Sequence, residues 1–231
     1  MKLIDFEHPQ LEWQDYNSDI GLSKDITHVF KININNYERI KPGYLSVLSI
    51  DEITKANRFR SADDRKRYVI GKYFSRIILS IILNLKTKDI HFSYTGNKKP
   101  HVEGIHFNIS HSGRFTIIAF SPKPIGIDIE YINEKFDFAP LLNICFKESE
   151  LSCIHGIVDF YTLWTRKEAI LKASGEGLID NLHDIECLKN IVKRNDTNFY
   201  ISSKKIDHNH IISLAINTLQ TKINYWNMAV S

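Results

Sequence analysis

Gly126-Ile127-Asp128-Ile129-Glu130 reads as a strand that carries two carboxylates where a buried strand would be apolar. Successive side chains of a strand leave on opposite faces. Ile127 and Ile129 therefore share one face and are expected to enter a core, while Asp128 and Glu130 share the other. Two rises of about 3.3 Å set the carboxylates roughly 7 Å apart. Like charges held that close repel, so a cation between them is favoured. Oxygen ligands suit a hard ion such as Mg²⁺. A half-exposed strand with its polar face in water has the same alternation, so this stretch alone leaves both readings open.

Upstream, His28–Asn33 alternates as a first strand, and Tyr44–Leu48 reads as a short helix or turn. Ser49 with Glu52 three residues later is a capping pair for a helix over Ile50–Phe59, which carries Lys55 and Arg58. Ser61-Ala62-Asp63-Asp64 caps a longer helix, Asp63 to Leu83. The first half of that helix is basic (Arg65, Lys66, Arg67, Lys72, Arg76), and a solvated face is the simplest account of it. Gly71 inside it implies close packing or a nearby ligand. Short strands follow at Ile90–Tyr94, His106–Ser110, Phe115–Ser121 and Ile125–Glu130, with a turn at Thr95-Gly96-Asn97-Lys98-Lys99-Pro100.

Downstream, a helical region over Ala139–Ile154 leads to a stronger helix, Val158–Ala173. Strands are expected near Asp184–Leu188, Asn198–Ser202, Ile211–Asn217 and Ile223–Val230. Both halves thus read as helices followed by a meander, an α+β unit used twice.

With 231 residues, 43% hydrophobic and 25% charged, the chain can bury a core as one domain or two small ones. A net charge of +3 argues against a dedicated nucleic-acid binder. Cys145, Cys153 and Cys187 have no C-x-x-C spacing, which speaks against a disulfide framework and a zinc site and for a reducing compartment. Asp5 and Glu7 stand where a signal peptide would be apolar, and Ile77 to Leu83 is too short to span a bilayer. A cytoplasmic protein without membrane association is expected.

Two further stretches carry chemistry. In Trp164-Thr165-Arg166-Lys167-Glu168-Ala169-Ile170-Leu171-Lys172, residues Phe160, Leu163, Trp164 and Leu171 form an apolar face. Glu168 and Lys172 lie together on a neighbouring face with Tyr161 and Thr165, a spacing that also serves ordinary exposed helices. Lys167 projects into the apolar face, where an amine needs a partner, and the helix exits through Gly175-Glu176-Gly177-Leu178. In Asn108-Ile109-Ser110-His111-Ser112-Gly113, a His between serines at a strand end can donate to a phosphate, or be a satisfied loop residue.

Together, in this order, these stretches resemble the 4′-phosphopantetheinyl transferases of the long, surfactin-synthetase-activating (Sfp) type. Gly126–Glu130 and Trp164–Ala169 with Lys172 are the specific part. Asn108–Ser112, Lys99-Pro100 and Arg58-Phe59 with Arg67 and Gly71 are looser, and the likeness runs across residues 55–178.

The resemblance implies a pseudo-dimer of two similar halves, 1–124 and 125–231. Each half would have helices packed on a small antiparallel sheet, with the active site in the cleft between them. It implies transfer of the phosphopantetheine arm of coenzyme A to a serine of an apo carrier protein, releasing 3′,5′-ADP, by a monomer. Asp128, Glu130 and Glu168 match Mg²⁺-binding acids, with Mn²⁺ as the other ion of interest. Glu168 also matches the general base, and Lys172 the lysine that holds the pyrophosphate. Ser110 and His111 match contacts to the coenzyme A phosphates, and Lys55, Arg67 and Lys99 basic residues around the nucleotide. The helix near Pro140–Phe146, with Leu141, Leu142 and Phe146, is an expected carrier-docking surface. A non-catalytic coenzyme A or carrier binder and a Mg²⁺-dependent hydrolase of nucleotide pyrophosphates are the competing readings. The full set of acids with Lys172 argues against the first; the same acids could serve the second, which leaves the matched order of the stretches without a reason.

Overall fold

A computed structural model of the chain describes residues 9–94, 99–177, 182–218 and 222–229. Residues 95–98 of the expected turn at 95–100, with Leu178, Asp5, Glu7 and Val230, lie outside the described residues. The order of elements begins β1 (Gln14–Asp15), β2 (Thr27–Asn33), α1 (Asn36–Ile40), α2 (Ile50–Ala56) and α3 (Ala62–Leu83). It continues with β3 (Ser93–Tyr94), β4 (Pro100–His101), β5 (His106–Ser112), β6 (Phe115–Ser121) and β7 (Ile125–Tyr131). Then come α4 (Ala139–Cys145), α5 (Glu148–Leu151) and α6 (Ile157–Ser174), followed by β8 (Ile191–Arg194), β9 (Thr197–Asp207), β10 (His210–Ile216) and β11 (Ile223–Met228).

The contacts divide the chain into two units. The first holds a five-stranded sheet in the order β1-β11-β2-β6-β5. Strands β2, β6 and β5 are antiparallel, but β1, β11 and β2 run parallel, so this sheet is mixed where an antiparallel one was expected. α3 packs on it, and Phe30, Ile32, Val69, Ile70, Phe74, Ile78, Ile118 and Phe120 share one core. The second unit holds an antiparallel sheet in the order β7-β10-β9-β8. α6 lies across its face, and Phe160, Leu163, Ala169, Ile170, Phe199, Ile201, Ile211 and Ala215 form its core. The expected boundary put residues 125–231 together. The last strand, β11, pairs instead with β2 of the first sheet.

Each unit repeats one plan: an opening strand, short helices, a long helix, then a hairpin whose last strand pairs antiparallel with the opening strand (β2 with β6, β7 with β10). The helix signals in the sequence work as written. The Ser49 side chain accepts from the Glu52 N–H while Glu52 accepts from the Ser49 N–H, and Ser61 accepts from the Asp64 N–H. Asn84 closes α3 at φ 53°, and Gly175 closes α6 at φ 78°, a conformation that suits glycine.

One expected strand is lost and another shortened for one reason. Over 182–190 the chain forms a short 3₁₀ turn and bends. The carbonyls of Leu182, Ile185, Cys187 and Lys189 accept from Lys167 and Arg166, and the Cys187 N–H donates to Glu150. Backbone groups committed to side chains are not available to a ladder. Likewise the Ile90 carbonyl accepts from Arg76, and only Ser93–Tyr94 of the expected 90–94 strand remains.

Candidate functional site

The two faces of β7 are both buried, and the carboxylates stand on the face covered by α6. Asp128 is directly across from Ser213 on β10, and Ser213 bonds to Thr165 of α6 at 2.8 Å. Ile127 and Ile129 are buried on the opposite face. The expected division of a greasy inward face and a solvated polar face therefore does not hold: Asp128 is only 4% exposed.

Gly126 explains how a helix comes so near. A Cβ built on it would stand 2.1 Å from the Ala169 carbonyl oxygen and 2.3 Å from the Ala173 nitrogen. The backbone of α6 thus rests directly on the backbone of β7. That seat brings Lys172 Nζ to 2.5 Å from Asp128 Oδ1, where it donates a charge-assisted hydrogen bond. Glu168, one turn earlier, is half-buried, and its Oε1 has no hydrogen-bond partner among the described residues. Burial pushes the Glu168 carboxyl above the usual carboxylate range. The Asp128 charge raises it further and Lys172 opposes the rise.

Lys99 joins this group rather than the first unit, where its place in the sequence had put it. Its Nζ donates to the carbonyls of Ile125 (3.4 Å) and Lys172. Burial, with the neighbouring Lys172 ammonium as a lesser contributor, lowers its pKa to about 8. Two neighbouring ammonium groups make a place where a polyanion is favoured.

The Trp-Thr-Arg-Lys-Glu-Ala stretch splits between framework and site. Trp164 stacks on Phe160 at 5.9 Å between centroids. Arg166, 2% exposed, donates to the carbonyls of Cys187 and Lys189, both at 2.7 Å. Lys167, 1% exposed, has the partner its position demands: Glu150 Oε2 at 2.6 Å, with the Leu182 and Ile185 carbonyls. Glu150 went unnoticed in the sequence. Its signal is the Lys147-x-x-Glu150 spacing, in which the glutamate accepts from the Lys147 N–H at 3.0 Å. Thr165 was read on the face of Glu168 and Lys172, but its partner Ser213 was missed, and no sequence pattern marks that pair.

The remaining expected residues lie in the first unit. Ser110 and His111 are neighbours on β5, so their side chains leave on opposite faces: Ser110 is buried and His111 exposed. Arg67 donates to Asp64 at 2.7 Å and to the Gly113 carbonyl at 2.8 Å, tying the β5–β6 turn to α3. The hydrogen bond from Arg67 holds the Asp64 carboxyl below its usual range, with His111 a lesser contributor. Lys55 is exposed, its Nζ 5.3 Å from the Tyr68 ring centre. The basic half of α3 is not simply solvated. Arg76 donates to Glu52 Oε2 at 2.8 Å, Lys72 lies 3.6 Å from Oε1, and all three are buried. Phe146 is core rather than surface, while Ile144 on α4 is 64% exposed beside the half-buried Leu141 and Leu142.

Among the described residues no three His, Cys, Asp or Glu side chains converge tightly enough to enclose a metal ion by themselves. The donor set nevertheless fits a hard divalent cation. It offers carboxylate oxygens only, a buried Glu168 oxygen lacks a hydrogen bond, and the raised Glu168 carboxyl would be relieved by positive charge.

An α+β fold with a lysine and carboxylates gathered at a strand–helix seat defines a class that the comparisons identify. Residues 124–219 match the 4′-phosphopantetheinyl transferase superfamily, and residues 41–123 match the 4′-phosphopantetheinyl transferase N-terminal family. The chain belongs to the 4′-phosphopantetheinyl transferase family. It is 31% identical over 190 residues to the 4′-phosphopantetheinyl transferase HetI of Nostoc sp., covering 77% of this chain and 80% of that relative. It is 35% identical over 144 residues to the 4′-phosphopantetheinyl transferase Sfp of Bacillus subtilis, covering 58% and 63%. The L-aminoadipate-semialdehyde dehydrogenase-phosphopantetheinyl transferase of Schizosaccharomyces pombe is 29% identical over 173 residues, covering 64% and 67%. No described helix is long and apolar enough to cross a membrane.

Proposed function

We propose that the protein moves the 4′-phosphopantetheine arm of coenzyme A onto a serine of an apo carrier protein, releasing 3′,5′-ADP. The observation that carries this is the seat of α6 on β7, where Lys172, Lys99, Asp128 and Glu168 meet. The serine Oγ attacks the phosphorus that carries the pantetheine, and the bond from that phosphorus to the bridging oxygen of 3′,5′-ADP breaks. Glu168 takes the serine proton; a carboxyl raised by burial is a stronger base than an exposed one. Lys172 and Lys99 neutralise the charge that builds on the 5′-phosphate of the leaving 3′,5′-ADP. Asp128, Glu130 and Glu168 would hold Mg²⁺ or Mn²⁺, which supplies further neutralisation of phosphate oxygens.

His111, Arg67 and Lys55 serve the phosphates and nucleotide of coenzyme A, with Ser110 supporting the same strand. Ile144, with Leu141 and Leu142, offers an apolar surface to the carrier. The enzyme acts as a cytoplasmic monomer, with no nucleic acid or membrane in its reaction.

The test is to incubate the protein with Mg²⁺, coenzyme A and apo carriers of fatty-acid, polyketide and peptide-synthetase type, then weigh each carrier intact. Gain of one phosphopantetheine on any of them is the expected result. No gain on all three sinks the proposal, and release of adenosine diphosphate species without a carrier points to a hydrolase.

A further inference from the structure

We infer that Gly126 and Thr165 are positioning residues for the transfer reaction, because together they fix where α6 lies on β7. This rests on the transferase reading of the same site. The atoms that a Cβ at residue 126 would meet are all backbone: the Ala169 oxygen, the Ala173 nitrogen and, at 2.9 Å, the Lys172 carbonyl carbon. Backbone cannot rotate aside as a side chain can, so the helix must retreat by roughly 1 Å to reach an ordinary contact. Those atoms belong to the turn that carries Lys172, and Ala169 follows Glu168 directly. The missing side chain at 126 therefore sets the separation between Asp128 and the two groups of α6 that act with it.

Thr165 supplies the second constraint. Arg166 can only donate, and its Nη1 lies 3.4 Å from Ser203 Oγ. Ser203 Oγ is 2.8 Å from Ser213 Oγ, which is 2.8 Å from Thr165 Oγ1, which lies 3.0 Å from the Thr162 carbonyl. A donor-only group at one end and a carbonyl at the other align all three hydroxyls in one direction. Thr165 and Ser213 are fully buried, and Ser213 is the residue across from Asp128. The hydroxyl chain fixes α6 one turn before Glu168, and Gly126 fixes it one turn after. Active groups must be held to about 0.5 Å, and a 1 Å displacement costs about 100-fold in rate.

The experiment is a titration of Mn²⁺ into the coenzyme A-saturated protein, with free Mn²⁺ read by electron paramagnetic resonance. The intact-mass carrier assay and far-ultraviolet circular dichroism run beside it. Gly126→Ala is expected to bind Mn²⁺ about tenfold more weakly or worse, and Thr165→Val several-fold more weakly, with unchanged dichroism. Asp128→Glu should weaken Mn²⁺ binding alone yet recover part of the loss when combined with Gly126→Ala, since the added methylene spans the retreat. A merely structural role gives no such rescue. Unaltered Mn²⁺ affinity in folded Gly126→Ala and Thr165→Val overturns the inference. Where Gly126→Ala does not fold, Thr165→Val decides by the same criterion. If the parent protein neither binds Mn²⁺ nor modifies any carrier, the transferase reading itself falls and the inference falls with it.

Discussion

The two long helices, α3 and α6, are anchored by the same device and then put to different uses. Each is preceded by a short helix whose third residue is a glutamate that accepts from the N–H at its own helix start: Glu52 in α2, Glu150 in α5. Each glutamate then takes a buried cation from the long helix, Arg76 on α3 and Lys167 on α6. The opening strands differ. β2 presents Phe30 and Ile32 to α3, and that layer is closed by apolar packing. β7 presents Gly126, Asp128 and Glu130 to α6, and the layer becomes a site. One scaffold is a frame in the first case and a reaction centre in the second. Since the anchor is shared, the difference lies in the opening strands: only β7 sets a glycine and carboxylates beneath its helix.

The sharpest way to break the comparison is to cut the anchors. Glu150→Ala leaves Lys167 buried without its carboxylate and should lower stability by about 3–5 kcal/mol in urea unfolding. Glu52→Ala should be of the same kind, since it leaves both Arg76 and Lys72 without their carboxylate. Equal and negligible losses for both would show that these pairs do not hold the helices. Changing the site instead of the anchor should give the reverse profile. Lys172→Ala is expected to lower the transfer rate about 100- to 1,000-fold while urea midpoints stay close to those of the parent. A parent-like rate would remove Lys172 from the chemistry.

How much of this was legible follows from how local each signal is. Ser49 with Glu52, Ser61 and Gly175 act within one turn, and each marks its helix end to within a residue, although the helix read as Ile50–Phe59 stops at Ala56. The strands Phe115–Ser121 and Ile125–Tyr131 announced themselves by composition and alternation. The family resemblance rested on motifs that the structure divides between framework and site. Strand 184–188 failed because its carbonyls are claimed by Arg166 and Lys167 from a helix some twenty residues away in sequence. The parallel addition of β11 to β2 failed to show because it joins residues nearly two hundred apart. The burial of the carboxylate face of β7 stayed open because the close approach of α6 over Gly126 joins residues more than forty apart in sequence.

Two smaller effects probe the charge stored at the site. Glu168 has its folded pKa raised above the unfolded value, so its contribution to stability is present below the usual carboxylate range and lost as pH rises. Glu168→Gln should therefore raise the melting temperature of the metal-free protein at pH 7 by a few degrees, about 1 kcal/mol or less, while abolishing transfer. A drop in melting temperature would show that the Glu168 charge is accommodated rather than strained.

Lys99 gives the finest test, because its sign is opposite. Its pKa is about 8 in the fold against 10.5 when unperturbed. Between those values the unfolded chain binds the extra proton and the folded chain does not, so this group makes stability rise with pH across that window. An anion placed beside Lys99 and Lys172 favours the charged amine and must draw a proton from solution when the pH is above 8. Coenzyme A binding measured by calorimetry at pH 8.5 in buffers of different ionisation enthalpy should therefore show net proton uptake, a fraction of one proton per site. Lys99→Met should abolish that uptake while leaving the Lys172–Asp128 contact in place, since Lys99 reaches the Lys172 turn through its carbonyl and not its amine. Uptake that survives the substitution would assign the proton to another group and leave Lys99 as a helix tie. In that case the second unit would resemble the first more closely, with one more of its buried cations serving the frame.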